Sequence, residues 1–191
     1  MARRSSQMKD TWKDKKWYNV YAPDMFGKQS LGEVVSSNPD NLVGRTMMTS
    51  LRDLTGDFSK THVKLYFRIN EVQGENAYTE FKKHELLRSY IRSQTRRNNT
   101  KLDNILDLKT KDAKKLRVTI TAIAPRRMQS SQVEAVNVLI RNHMKDVASQ
   151  TDLVPMVQEL ILGKITSDIY KLAKKIYPIR RVEVVKVKKL S

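Results

Sequence analysis

The 191-residue chain contains no cysteine. That removes disulfides, thiolate zinc sites, iron–sulfur clusters and a cysteine nucleophile in one step. Long apolar runs are missing as well. No stretch approaches the roughly 18–20 apolar residues that a membrane-crossing helix requires. No long basic helix carries bulky apolar residues opposite its charges, so no membrane partner is expected. The opening residues, MARRSSQMK, are basic but have no apolar segment behind them and do not read as a secretory signal. Histidine is scarce. His62, His84 and His143 are too scattered for a zinc signature, and His143 falls on the apolar stripe of a helix, where it reads as packed.

Catalytic patterns are absent in the same way. Gly27-Lys28 and Gly163-Lys164 resemble the ends of phosphate loops, but neither has the upstream glycine or the Ser/Thr after the lysine. Asp103 and Asp107 are the tightest carboxylate pair, yet nothing joins them to a base, a metal or a nucleophile. No catalytic residue, metal, cofactor or small-molecule substrate is expected. An RNA-processing enzyme would need such groups. The aromatic pair of an RNP motif, a GXXG clamp, a zinc knuckle and a DNA-recognition helix are also missing.

What the chain has is positive charge. Its 37 Lys+Arg against 20 Asp+Glu leave a formal net charge of +17. A surplus of that size concerns partners rather than fold, and a polyanion is the natural one. The charge is clustered. Lys13, Lys15 and Lys16 precede Trp17, and Arg92, Arg96, Arg97 and Lys101 surround an Asn-rich loop. Arg126 and Arg127 form a pair, Lys171, Lys174 and Lys175 gather near a helix end, and Arg180 and Arg181 precede Lys186, Lys188 and Lys189. One such cluster is ordinarily a solvated face. Five along the whole length imply contact with RNA over a large surface, mainly through phosphates. Arg96 and Arg97 suit a folded RNA, since the guanidinium offers both a fork for phosphate and a face for stacking. Trp17 and Tyr21 have two readings: inward positions of a first strand, or rings that stack on bases.

Taken in order, residues 1–16 read as a basic arm and 17–191 as a single α+β domain, or two lobes sharing a core. Strands are expected at Ser30–Val35, Gly44–Leu51, Val63–Asn70 and Ala77–Lys83. The second of these is followed by a turn at Asp53–Asp57, and a short helix lies within 85–94. Leu102–Lys109 and Leu116–Ala124 form a predicted hairpin. After Pro125 the apolar period changes from two to about 3.6. Ser131 and Glu134 have capping-box spacing, ahead of a stripe of Val136, Leu139, Ile140 and Val147. A second helix opens at Asp152 and ends at Gly163, a third runs from about Ser167 to Ile176, and Val182–Val187 is a returning strand. The pattern is α+β: a mostly antiparallel sheet, able to curl into a barrel, in the N-terminal two-thirds, then three helices and a strand.

At KKWYNVYAPDMFG the chain resembles a family of archaeal and eukaryotic small-subunit ribosomal proteins. The family is commonly called S-three-a, and eukaryotic-type S-one in newer nomenclature. The likeness rests on Trp17-Tyr18, Ala22-Pro23 and Met25-Phe26, and continues through GRTMMTSLRDLTGD (44–57), EVQG (71–74) and IYPIRRVEVVKVKKL (176–190). Eukaryotic members carry an extension beyond the position of Ser191, so the chain is similar to an archaeal member. The resemblance implies a cytoplasmic, structural ribosomal protein. It would hold the 3′ region of small-subunit rRNA on the platform near the mRNA exit, beside neighbouring platform proteins and with mRNA nearby. A free RNA-binding factor in ribosome assembly or translation is the alternative.

Overall fold

The computed structural model describes residues 12, 13 and 15–190, so most of the expected arm lies outside the described residues. Among these residues are, in chain order, β1 (Lys16–Tyr21), β2 (Ser30–Ser36), β3 (Thr46–Ser50), α1 (Leu51–Thr55), β4 (Val63–Gln73), β5 (Asn76–Leu86) and α2 (Arg88–Gln94). Then come β6 (Thr100–Lys109), β7 (Lys115–Ala124), α3 (Ser130–Gln150), α4 (Leu153–Leu162), α5 (Lys164–Ala173) and β8 (Arg181–Leu190). The class is α+β with a mostly antiparallel sheet. The sheet is open, so barrel closure drops out, and β1 pairs with β5 in parallel. The chain divides into two compact units. One comprises residues up to 47 with 67–80, the other 48–66 with 81 onward, and β4 and β5 contribute to both.

In the first unit β1 lies between β2 and β5, with Trp17 opposite Val35 and Val20 opposite Ala77. Side chains alternate along a strand, and here Tyr18 (4 % exposed) and Val20 point inward while Trp17 is 61 % exposed. Tyr18 and Val20 pack with Leu42, Ile69 and Ala77. Tyr21 is half-buried and stacks on Tyr78 at 6.2 Å. Trp17 is therefore not a core residue; Tyr18 is the inward ring. Phe26 meets Phe67 edge-on, centroids 5.4 Å apart. Gly44 holds φ at 90°, which places its N–H 2.8 Å from the Ile69 carbonyl. A Cβ there would sit 3.6 Å from the Arg68 guanidinium, so backbone conformation rather than space demands glycine.

In the second unit β5, β8, β7 and β6 pair antiparallel in that order. The β6–β7 hairpin keeps an unbroken register from Thr100 opposite Ala124 to Lys109 opposite Lys115. Its inward rows, Leu102, Leu106, Leu116, Val118 and Ile120, continue through Val184 and Val187 of β8. α3 packs on β6 and on α5, while α4 and α5 pack on β8. The buried stripe of α3 is Val136, Ile140, Met144 and Ala148, one residue every helical turn; Leu139 and Val147 are half-buried beside it.

Three helix starts differ from the sequence reading. α1 replaces the end of a strand and the turn after it. Ser50 Oγ accepts from the Asp53 N–H at 3.3 Å and Asp53 returns the bond to the Ser50 N–H, a capping box that fixes a helix with Leu51 and Leu54 buried. α3 is capped by Gln129 and Gln132 rather than Ser131 and Glu134, because it begins earlier than that pattern requires. α5 begins at Lys164, not Ser167. Gly163 (φ 86°) ends α4, and its carbonyl accepts the Ser167 N–H and the Thr166 hydroxyl, so one helix leads into the next without a loop.

The two neighbouring rings of β1 should behave oppositely. Tyr18→Ala is expected to cost roughly 3–5 kcal/mol, as for a buried aromatic. Trp17→Ala should stay within about 1 kcal/mol, as for an exposed site. Urea denaturation of the two variants checks this.

Candidate nucleic-acid interface

All fifteen residues proposed from sequence are exposed, Trp17 and the fourteen cations alike. The fold gathers many of them. β6 starts at Thr100, opposite Ala124 at the end of β7, and Ile123 lies opposite Arg181 at the start of β8. The three connections at this end of the sheet are stitched together. Thr100 Oγ1 donates to the Arg126 carbonyl at 3.2 Å and accepts from the Met128 N–H at 3.0 Å. The Tyr177 hydroxyl donates to the Arg127 carbonyl at 3.2 Å, and the Arg180 N–H donates to the Ile123 carbonyl at 2.8 Å. Just before β6 the chain turns at Arg96–Asn99, with the Asn99 N–H on the Arg96 carbonyl and Asn98 in the left-handed region (φ 68°). Asparagine tolerates that conformation because its short amide bonds locally. Arg96/Arg97, Arg126/Arg127, Lys174/Lys175 and Arg180/Arg181, remote in sequence, therefore share one end of the second unit.

Part of the outer sheet face is neutralised by carboxylates. On that face Arg117 donates two bonds to Asp107, at 2.7 and 2.8 Å, holding the Asp107 carboxyl below its usual range. Lys101 pairs with Asp103 at 2.7 Å and Lys83 with Glu85. Thr121 Oγ1 also donates to Asp103, at 2.5 Å. Among the described residues no carboxylate lies within ion-pair distance of Arg92, Arg96, Arg97, Arg126, Arg127, Lys175 or Arg180. Lys171 does pair with Asp168 at 3.3 Å, and Arg181 with Glu183 at 3.7 Å. Exposed pairs of that kind are weak and can be exchanged for phosphate.

Two grooves sharpen the picture. One, of about 430 Å³, is lined by Arg88, Arg92 and Lys101 with Ile91, Thr95 and Val185. The other, of about 330 Å³, is lined by Lys171, Arg180 and Arg181 with Thr166, Ser167 and Tyr170. Lysine and arginine beside hydroxyls suit phosphate oxygens. In the first unit Lys16 and Trp17 open β1, and Lys15 Nζ lies 4.2 Å over the Trp12 ring, a cation–π contact.

A further pocket of about 350 Å³ in the second unit is lined by His62, His84, Tyr90, Arg181, Glu183 and Thr166, among others. The His62 and Tyr90 rings stack at 3.8 Å, 19° from parallel. Arg181 donates to the Tyr90 hydroxyl at 2.5 Å, and that hydroxyl donates to Glu183 at 3.2 Å. His84 is 2 % exposed, and its Nδ1 has no hydrogen-bond partner among the described residues. Burial, opposed by Glu85 and aided by His62, lowers its pKa to about 4, so His84 is neutral at pH 7.

A model of the Ribosomal S3Ae family matches residues 3–191. The chain belongs to the Ribosomal S3Ae family. The small ribosomal subunit protein eS1 of Desulfurococcus amylolyticus is 48% identical over 183 residues, covering 96% of this chain and 86% of the relative. The eS1 proteins of Archaeoglobus fulgidus (44% identical; 99% of this chain, 90% of the relative) and Methanothermobacter thermautotrophicus (42%; 98% and 96%) are similar over nearly their whole lengths.

Within this S3Ae chain the motif residues divide by role. Tyr18 and Ala22 are buried and Phe26 packs on Phe67, so most of the WY…AP…MF motif builds the first unit's core; Trp17 alone among the motif's rings stands open. The Ser-Leu…Asp-Leu motif is the capping box and the buried leucines of α1. Sequence reading missed Arg88, one helical turn before Arg92 and on the same groove. Its i, i+4 spacing on α2 was the available signal. It also missed the His62–Tyr90–Glu183 cluster, whose members come from three distant segments.

The buried neutral His84 makes stability pH-dependent. Its folded pKa of about 4 lies below the ordinary 6.5, so below pH 6.5 the unfolded chain takes up a proton that the folded chain refuses. Stability fully present above pH 6.5 should fall by up to about 3 kcal/mol towards pH 4. His84→Leu should remove most of that slope in denaturant melts run between pH 7 and 4.

Proposed function

We propose that the protein is a structural constituent of the small ribosomal subunit that holds rRNA through the basic end of β6, β7 and β8. The observation that carries this is the convergence there of Arg92, Arg96, Arg97, Arg126, Arg127, Lys175 and Arg180 with no neutralising carboxylate among the described residues, in a chain whose relatives are named small ribosomal subunit protein eS1. Uncompensated cations release the counterions of a polyanion and so supply affinity. Lys13, Lys15, Lys16 and exposed Trp17 form a second contact, with the indole stacking on a base. The family resemblance supports a location at the 3′ region of small-subunit rRNA, on the platform near the mRNA exit, beside neighbouring platform proteins. Residues 17–191 act as one rRNA-binding domain and residues 1–16 as its basic arm. The role needs no enzymatic chemistry and belongs to the cytoplasmic ribosome.

Phosphate contacts can be counted from salt dependence. Replacing Arg96, Arg97, Arg126 and Arg127 by Ala should flatten the slope of log affinity against log salt, for a small-subunit rRNA fragment, by roughly 0.7–0.9 per lost contact. An unchanged slope would remove this end from the interface. Trp17→Ala should weaken binding by about 1–3 kcal/mol while leaving the slope nearly intact.

A further inference from the structure

The pocket around His84 has a composition that phosphate binding does not use. It combines two stacked rings, His62 and Tyr90, with a guanidinium, Arg181, and a carboxylate, Glu183. It shares Arg181 and Thr166 with the adjoining groove of Lys171, Arg180 and Ser167. A phosphate-suited groove and a pocket with aromatic and polar walls are thus joined through two residues, an arrangement that suits a nucleotide. The volume, about 350 Å³, is that of a small-ligand site.

We propose that this pocket receives a single unstacked guanine of bound RNA, with the adjacent phosphate in the Lys171–Arg180–Arg181 groove. Three observations carry it. First, the polar groups match guanine's edges. A carboxylate accepts from adjacent N–H donors on the Watson–Crick edge, and a guanidinium donates to O6 or N7. Adenine presents the opposite pattern at that edge and would set an acceptor against Glu183. Second, these groups are held in place before any ligand arrives. The Tyr90 hydroxyl bridges Arg181 at 2.5 Å and Glu183 at 3.2 Å, and the Tyr90 ring is fixed by stacking on His62. Third, His84 is among the residues lining the same pocket, and its buried Nδ1 has no hydrogen-bond partner among the described residues. Such atoms are rare in folded proteins and costly when left unpaired. As a neutral imidazole, His84 places no charge in the wall of this pocket. The inference rests on the RNA-binding reading but goes beyond it, since it makes one contact sequence-selective where the others, to phosphates and by stacking of Trp17, read no sequence.

The test uses the full chain and uridine-rich RNA oligonucleotides that differ at one central position, which holds guanine, adenine or an abasic ribose. Calorimetric titration should show the guanine oligonucleotide binding roughly tenfold or more tighter than either of the others. Glu183→Gln should collapse the guanine-to-adenine ratio towards one, and Tyr90→Phe, which keeps the ring, should reduce it. Thermal melts confirm that both variants fold. Should the wild type bind all three RNAs equally and with strong salt dependence, the pocket proposal fails while phosphate-mediated RNA binding stands. No binding to any RNA would sink both. A wild-type preference that survives Glu183→Gln and Tyr90→Phe intact would also overturn the proposal, because the selectivity would arise elsewhere.

Discussion

The burial of one face of the β6–β7–β8 ladder under α3, α4 and α5 is the constraint from which the rest of the second unit follows. Leu102, Leu106, Val118, Ile120, Val184 and Val187 occupy that face. Period-two alternation then sends every other residue outward. On the outward rows cations meet carboxylates: Asp107 binds Arg117, Asp103 binds Lys101, and Glu85 binds Lys83. That neutralisation is partial, since Lys109, Lys115 and Lys188 on the same outward rows have no carboxylate within ion-pair distance among the described residues. The chain's surplus of +17 is spread over more than that face, and in this unit part of it collects where the strands end and the connections begin. Such an end is closed by side-chain-to-backbone bonds from Thr100 and Tyr177, which do not use the heads of Arg126 and Arg127.

The first unit solves a different problem. Its small core, centred on Tyr18, Val20, Leu42, Ile69 and Ala77, is completed by half-buried Leu31, Val34, Met47 and Val72. The motif that carries the family likeness mostly serves this core. Trp17 is the exception. It sits one residue from Tyr18 on the same strand, so the pleat that buries one ring exposes the other. A ring of that size left in solvent beside Lys15 and Lys16 is better used against an RNA base than against water.

Local patterns were legible in the sequence and non-local ones were not. The alternation Val63, Leu65, Phe67, Ile69 announced β4, and the change of period after Pro125 announced the helices. Tyr18 and Trp17 could not be told apart, because alternation sets a period without setting its phase. The parallel pairing of β1 with β5 and the open sheet depend on partners some 57 residues apart in chain order, Val20 and Ala77 among them, and no local propensity encodes that. α1 was hidden because Ser50 and Asp53 lie in a stretch rich in strand-like residues, and only the reciprocal cap shows where the helix starts. For the site, the five basic clusters could be read off directly. Which of them share an end, and which are cancelled by a carboxylate two residues away or across a strand, required the register. The His62–Tyr90–Arg181–Glu183 cluster gave no sequence signal, since its residues come from segments that share no motif.

The central claim is that the uncompensated cations make the chain an integral part of the small ribosomal subunit. Sucrose-gradient sedimentation of cell extract, in salt high enough to strip loosely held factors, tests it most directly. The account predicts that the chain stays with small subunits at close to one copy each. A chain that runs free, or that leaves the subunits as salt is raised, would contradict it and describe a dissociable RNA-binding factor instead.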